Sequence, residues 1–230
     1  MMKSKLPSFD VFNSAWLSGV SEESLTELKQ LAEKVRFEDK ATIYALGGPQ
    51  NALWGVISGQ VQVRVALVEM EPVLGHIHQP GAWFGESELL MGLDGLVEMK
   101  AVGPTIVAKV WYSQFRKIAN EFPDLWEALA RLTSMNQLLA MSAANDLVMR
   151  NSKSRIAAAL LRLSGRRSVL QGSRHADIVH ASQQEIAELS NISLSKASVL
   201  FGELVEMGLI RQEYGRIVLV NPDDLLDLIE

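Results

Sequence analysis

The chain has 230 residues, 48% of them hydrophobic, enough to build real cores in one large domain or two modest ones. Its formal net charge of −5 argues against a surface coated with nucleic-acid-binding charge. The absence of cysteine excludes disulfides, thiolate metal sites, iron–sulfur clusters and a cysteine nucleophile together.

The N-terminus "MMKSKLPSFD" lacks the apolar region of a signal peptide, and no apolar run approaches the ~18 residues of a membrane span. A cytoplasmic protein without membrane partners is expected. Ser21, followed by Glu22, Glu23 and the apolar positions Leu25, Leu28 and Leu31, reads as a capped helix. From Val35 to Val110 the texture changes to short apolar runs broken by Gly and Pro. "WGVISGQVQVRV" sets Val61, Val63 and Val65 against Gln60, Gln62 and Arg64, a period-2 pattern. "VLGHIHQPGAWFGE" repeats the theme with a turn at Pro80-Gly81, and "TIVAKVWYSQF" closes the set. Short strands at this spacing predict a small barrel or jelly roll.

Pro123 opens a different regime, since proline fits the first turn of a helix. Leu125, Leu129, Leu132, Met135, Leu139 and Leu147 then recur at helical spacing, with no breaker until about Asn151. A helix of about 26 residues would run roughly 40 Å, longer than a small barrel needs for its own cover. The stripe suits either burial against that barrel or a coiled-coil seam joining two copies of the chain. "NSKSR" (Asn151 to Arg155) reads as a polar hinge, Ile156 to Leu163 as helix, and "GRRSVLQGSRHAD" as a loop or hairpin.

In "SQQEIAELSNISLSKASVLFGELVEMGLI", Ser182 and Glu185 have the spacing of a capping box. Ile186 and Leu189 face inward, and Ala187 is small where a second helix must approach. Asn191 sits at the corner, where a left-handed backbone is tolerated. Ser193 caps a second helix whose buried stripe is Ala197, Leu200, Phe201 and Leu204, and Gly208 ends it. "LIRQEYGRIVLV" then reads as two strands around a Tyr214-Gly215 turn, the wing of a winged helix–turn–helix. Charge agrees with this. Residues 150–220 hold ten Lys/Arg against six Asp/Glu, whereas residues 1–149 hold twelve against seventeen.

In this order of parts, from about Leu28 to Val220, the chain resembles the CRP/FNR family of bacterial transcription regulators. The resemblance is carried by "ISGQVQV" and "GAWFGESELL", by "YSQFRKIANEFPDL" entering the long helix, and by "SQQEIAEL" with the wing. It implies an α+β architecture: an N-terminal β-roll, jelly-roll-like and of the cyclic-nucleotide-binding type, over 1–120. A long dimerisation helix and hinge would occupy 121–150 and a C-terminal winged helix–turn–helix 151–230. It implies a homodimer on double-stranded promoter or operator DNA, with RNA polymerase as a further partner. Ser182, Gln183, Gln184, Lys196 and Arg216 would lie on phosphates, with Leu194, Ser195, Ser198 and Val199 in the groove. Arg150, Lys153, Arg155, Arg166, Arg167 and Arg174 would supply charge around them.

The sensor half departs from the family's cyclic-nucleotide cassette, which runs Gly-Glu, about ten residues, then Arg-Ser/Thr-Ala. Gly85 and Glu86 match its opening, but Leu96, Val97 and Glu98 stand where the cation and hydroxyl should follow. A cyclic phosphate facing two aliphatics and a carboxylate would lose its hydration without replacement. Ala140 and Met141 stand about where a base-contacting Thr/Ser pair would lie. cAMP is therefore not expected as effector; haem is open in principle, but nothing calls for it. Trp83, Phe84, Leu89, Leu90, Met91 and Met99, with Gly85, Glu86, Ser87, Leu96, Val97 and Met141, would form core or line a pocket for an unknown small molecule.

Two other classes compete. A small-molecule sensor that does not bind DNA would explain the roll but leave the wing idle. A metal-dependent, cupin-like enzyme would use His76 and His78, which share one side of a strand, but Glu86 lies eight residues past His78 and nothing after Pro123 is explained. Ser193-x-x-Lys196 matches a serine-nucleophile spacing without its supporting elements. No catalytic residue and no resident metal are expected.

Overall fold

The computed structural model describes residues 10–66, 72–167 and 176–229. The start of the chain, most of the "GRRSVLQGSRHAD" stretch and Arg174 lie outside the described residues. The chain forms two compact units, Met1–Gln137 and Leu138–Glu230. The boundary falls inside the long helix, so the span 121–150 is shared between the two units instead of standing as a segment of its own.

In the first unit, α1 (Glu22–Leu31) starts where Ser21 Oγ accepts the Ser24 N–H at 3.1 Å. Six strands follow: β1 (Glu33–Phe37), β2 (Thr42–Tyr44), β3 (Ala52–Val65), β4 (Val73–His78), β5 (Trp83–Phe84) and β6 (Glu98–Trp111). They form one antiparallel sheet in the order β1-β6-β3-β4, with β2 on β6 and β5 on β3. The central strand β3 is buried on both faces from Ala52 to Ser58. Beyond Gly59, Val61 and Val63 turn to one core, but Gln60 is also buried and residues 62–65 are all half-buried, so the expected alternation does not show in exposure. Leu53 and Ile57 enter a helix-side core with Trp16, Leu28, Trp83 and Phe115. Ala52, Trp54, Val56 and Val61 enter a roll-side core with Tyr44, Phe84, Met99 and Val107.

Inward-facing positions on β3 thus pass from even to odd numbers between Val56 and Val61. The pairing with β6 shifts register there, and Gly59 takes φ +79°. A Cβ on Gly59 would lie 2.5 Å from Thr105 Oγ1, so the bulge needs glycine for space as well as for conformation.

Strand β6 ends at Trp111, and α3 (Tyr112–Glu121) begins at once; "YSQF" is helical where the last strand was expected. The short α2 (Glu86–Met91), which the sequence pattern did not suggest, lies between two left-handed glycines, Gly85 and Gly92. Helix α4 (Asp124–Val148) begins just after Pro123 and spans 25 residues. Leu125, Leu129 and Leu132 of its first half are buried in the helix-side core. In its second half, which belongs to the second unit, Leu138, Met141, Leu147 and Val148 are exposed.

The second unit continues with α5 (Ser152–Leu163), β7 (Ile178–Val179), α6 (Gln183–Leu189), α7 (Leu194–Glu206), β8 (Ile210–Glu213), β9 (Arg216–Leu219) and α8 (Pro222–Asp227). Of "NSKSR" only Asn151 is non-helical: it caps α5 by accepting the Lys153 N–H at 2.9 Å, and the next four residues belong to that helix. The wing is one strand wider than expected, because β7 joins it in the order β7-β9-β8. Helix α8, opened by Pro222 and two first-turn aspartates, buries Leu225.

A buried carboxylate fixes the end of α4 within this unit. Asp146 Oδ2 accepts Arg162 Nε at 2.8 Å, Oδ1 accepts Arg167 Nη1, and the Asp146 and Arg162 side chains are 1% and 2% exposed. Removing one partner of such a group leaves an uncompensated buried charge. Asp146→Ala should therefore destabilise the protein by about 3–5 kcal/mol. Asp177→Asn breaks only the exposed pair with Arg166 and should change stability by about 0–1 kcal/mol. Urea unfolding of both variants against the parent measures the contrast, and equal losses would contradict it.

Candidate nucleic-acid interface

The helix pair α6–α7 is set by four local devices. The Ser182 hydroxyl accepts the Glu185 N–H at 3.2 Å while the Glu185 carboxylate accepts the Ser182 N–H at 2.6 Å, a complete capping box. Asn191 turns the corner at φ +50°. Ser193 Oγ accepts the Lys196 N–H at 3.3 Å, so the Ser-x-x-Lys spacing forms a helix cap. Gly208 follows the last turn of α7 at φ +72°.

Between these stops Ala197, Phe201 and Leu204 are buried, and Leu200 is half-buried. Leu194, Ser195, Lys196, Ser198 and Val199 are all exposed, on the opposite face of the first two turns. Leu194 and Val199 are 50% and 63% exposed. Ser182 and Gln184 are exposed at the start of α6. Gln183 is half-buried and donates through Nε2 to Gln212 Oε1 on β8, tying α6 to the wing.

The surrounding cations are less available than their number suggests. Arg167 is held by Asp146, Arg166 by Asp177 at 2.6 Å and Lys153 by Glu203 at 2.5 Å. Arg155 donates to the carbonyls of Ser190 and Met149 and so braces the structure between α5 and α6. Arg216 Nε donates to Glu213 Oε2 at 2.6 Å. Burial and the nearby Arg216 charge both hold His180 below the usual imidazole range. Lys196 and Arg150 are exposed.

In the roll, Trp83 and Phe84 face opposite sides of the sheet, as neighbours on a strand must. Trp83 lies in the helix-side core, donates Nε1–H to the Val11 carbonyl at 2.9 Å and packs edge-on against Trp16. Phe84 lies in the roll-side core, where the His78 ring stacks on it at 5.4 Å. The two are therefore not brought together as walls of one pocket. Burial lowers His78 to about 4, so it is a neutral core imidazole at ordinary pH. His76 and His78 do share one side, with ring centroids 5.2 Å apart. Among the described residues no group of three or more His, Asp or Glu is placed to hold a metal.

The polar groups of the Gly85–Glu86 turn are taken up by the chain itself. Tyr112 Oη donates to the Gly85 carbonyl. Asn136 Nδ2, on α4, donates to Glu86 Oε1 at 2.9 Å and to the Trp83 carbonyl at 3.1 Å. Glu88, also buried, accepts the Leu96 N–H at 3.2 Å. Burial pushes the Glu86 carboxyl up, and burial together with the Glu88 carboxylate pushes up the phenols of Tyr44 and Tyr112. Ser87 and Val97 are half-buried and Leu96 is 44% exposed. Glu98 pairs with Lys100 at 3.0 Å. Met141 is 60% exposed and belongs to the second unit, not to the roll.

Two family models match this chain: the cyclic nucleotide-binding domain over residues 34–122 and the Crp-like helix-turn-helix domain over 154–228. The transcriptional regulatory protein btr of Bordetella pertussis is 29% identical over 218 residues, covering 90% of this chain and 84% of its own. The transcriptional regulator SdrP of Thermus thermophilus is 27% identical over 206 residues, covering 88% and 97%. The structure of FixK2 from Bradyrhizobium japonicum superposes with a TM-score of 0.74 at 23% identity, covering 86% of this chain and 98% of that one. With both domains matched in order and relatives aligned over nearly their full length, the chain belongs to the CRP/FNR family of transcription regulators.

Proposed function

We propose that the protein is a homodimeric, sequence-specific regulator of transcription that acts on double-stranded promoter or operator DNA in the cytoplasm, with an effector other than cAMP. The observation that carries this reading is the outward face of α7. It is held by capped ends, while Leu194, Ser195, Lys196, Ser198 and Val199 are exposed on it. A helix presented in this way fits the major groove, and family membership supplies the DNA-binding context. Hydroxyls pair with many base edges and aliphatics favour the thymine methyl, so a half-site rich in A·T is expected. Lys196, Ser182, Gln184 and Arg216 serve phosphates, and Gln183 holds α6 to the wing. RNA polymerase is the partner through which a promoter-bound dimer of this kind would act.

Dimerisation is supported by the second half of α4, where Leu138, Met141 and Val148 recur along one exposed face. The first half is committed to the helix-side core and is unavailable for that purpose. The effector reading is supported by the turn at Gly85–Glu86, whose acceptors are already satisfied by Tyr112 and Asn136.

Met141→Glu should convert the dimer to monomer in sedimentation at micromolar concentration and weaken DNA binding at least tenfold, because two half-sites a helical turn apart need both subunits. A variant that remains dimeric would place the interface elsewhere.

Titration with cAMP or cGMP should give no saturable heat at physiological concentrations; a micromolar dissociation constant would refute the effector reading. Native mass spectrometry of the purified protein would identify what binds instead.

Lys196→Ala should weaken binding to all duplexes alike and lower the salt slope by about one unit. Substitutions at Ser195 or Val199 should instead alter the preferred half-site, at about 1–3 kcal/mol per base pair. Sequence selection followed by salt titration distinguishes the two, and the reverse pattern would remove α7 from the groove.

A further inference from the structure

Glu213 ends β8 and Arg216 opens β9, directly opposite each other across the Tyr214-Gly215 turn. Arg211 lies two residues before Glu213 and therefore on the same face of the strand. The two oxygens of one carboxylate are divided between two guanidiniums. Oε1 accepts Arg211 Nε at 3.2 Å and Nη2 at 3.0 Å, while Oε2 accepts Arg216 Nε at 2.6 Å. The Arg211, Arg216 and Glu213 side chains are 64%, 44% and 29% exposed, so the arrangement stands at the surface. Tyr214, at the tip of the turn, is fully exposed.

A guanidinium fork that fits a carboxylate also fits a phosphate, the other common planar or tetrahedral oxyanion. We propose that Glu213 is an internal stand-in for DNA phosphate: it occupies the two wing arginines in the free protein and is exchanged for backbone phosphate when the wing docks. The inference rests on the reading of the chain as a DNA-binding regulator. Exposed ion pairs are weak and rearrange readily, so the exchange needs no unfolding of the wing. Until it occurs, the carboxylate neutralises the two arginines and keeps their forks from phosphate. Both effects act on every duplex alike, because phosphates carry no sequence information. Glu213 therefore lowers affinity without altering which bases α7 prefers.

The test uses the full-length protein, the duplex that it selects and a duplex of random sequence. E213Q keeps the size of the side chain and removes its charge. It should bind both duplexes ~3–10-fold more tightly and steepen the salt slope by about one unit, with half-site preference unchanged. The gain should vanish when the same change is made in an R211A/R216A background. If the parent binds its duplex and E213Q binds equally or less well, Glu213 merely positions the arginines and the proposal is overturned. If the gain persists without the arginines, the effect is general repulsion and the exchange is overturned. If neither protein binds any duplex, the DNA-binding reading fails with it.

Discussion

The carboxylate of Asp146 is the interaction on which the second unit depends. It lies two residues before the end of α4 and receives Arg162 from α5 and Arg167 from the turn after it. A helix terminus is ordinarily the part of a helix most prone to fray, but a charge this deeply buried cannot leave its partners without exposing them to an apolar interior. The geometry of α4 is thereby carried into α5, and α5 is in turn bonded through Arg155 to the end of α6. From Asp146 to Ser190 a chain of charge-assisted bonds links the long helix to the helix pair that precedes the recognition face.

The long helix is under two constraints at once. Its first half closes the helix-side core of the roll, where Leu125, Leu129 and Leu132 are in contact with the same cluster as Phe115 and Trp16. Its second half offers apolar side chains to the outside. A single apolar stripe read along the sequence conceals this change, since the same residue types recur where the stripe is buried and where it is exposed. The change becomes visible only when the roll's helices α1 and α3 are in place to take one part of the stripe and leave the other.

What was legible in the sequence was local. Ser182 with Glu185, Asn191, Ser193 and Gly208 act within a turn of their own positions, and the helix–turn–helix could be drawn from them residue by residue. The bulge at Gly59 was not legible, because it depends on how β6 passes the strand, whereas the opposite placement of Trp83 and Phe84 follows from their being neighbours on a strand. The basic residues of 150–167 were read as available charge, but Asp146, Asp177 and Glu203, which engage three of them, are brought close only by folding. Pro222 with Asp223 and Asp224 did carry the signature of a helix start, and α8 could have been anticipated from it.

The Asn136 amide sets a condition on anything that is to enter the roll beside Glu86. Its single nitrogen serves two acceptors at once, the Glu86 carboxylate and the Trp83 carbonyl. Displacing it takes a donor from each in a buried setting and leaves the Glu86 carboxylate only Ser87 Oγ, at 3.5 Å, among neighbouring side chains; unmet buried acceptors are costly. An incoming molecule must therefore bring an N–H or O–H group able to reach two oxygens, as an amide, amine or amidine can and a bare phosphodiester cannot. Because Asn136 sits on α4, a ligand that met this demand would also free one anchor of the long helix, turning a matter of hydrogen-bond supply into a mechanical one.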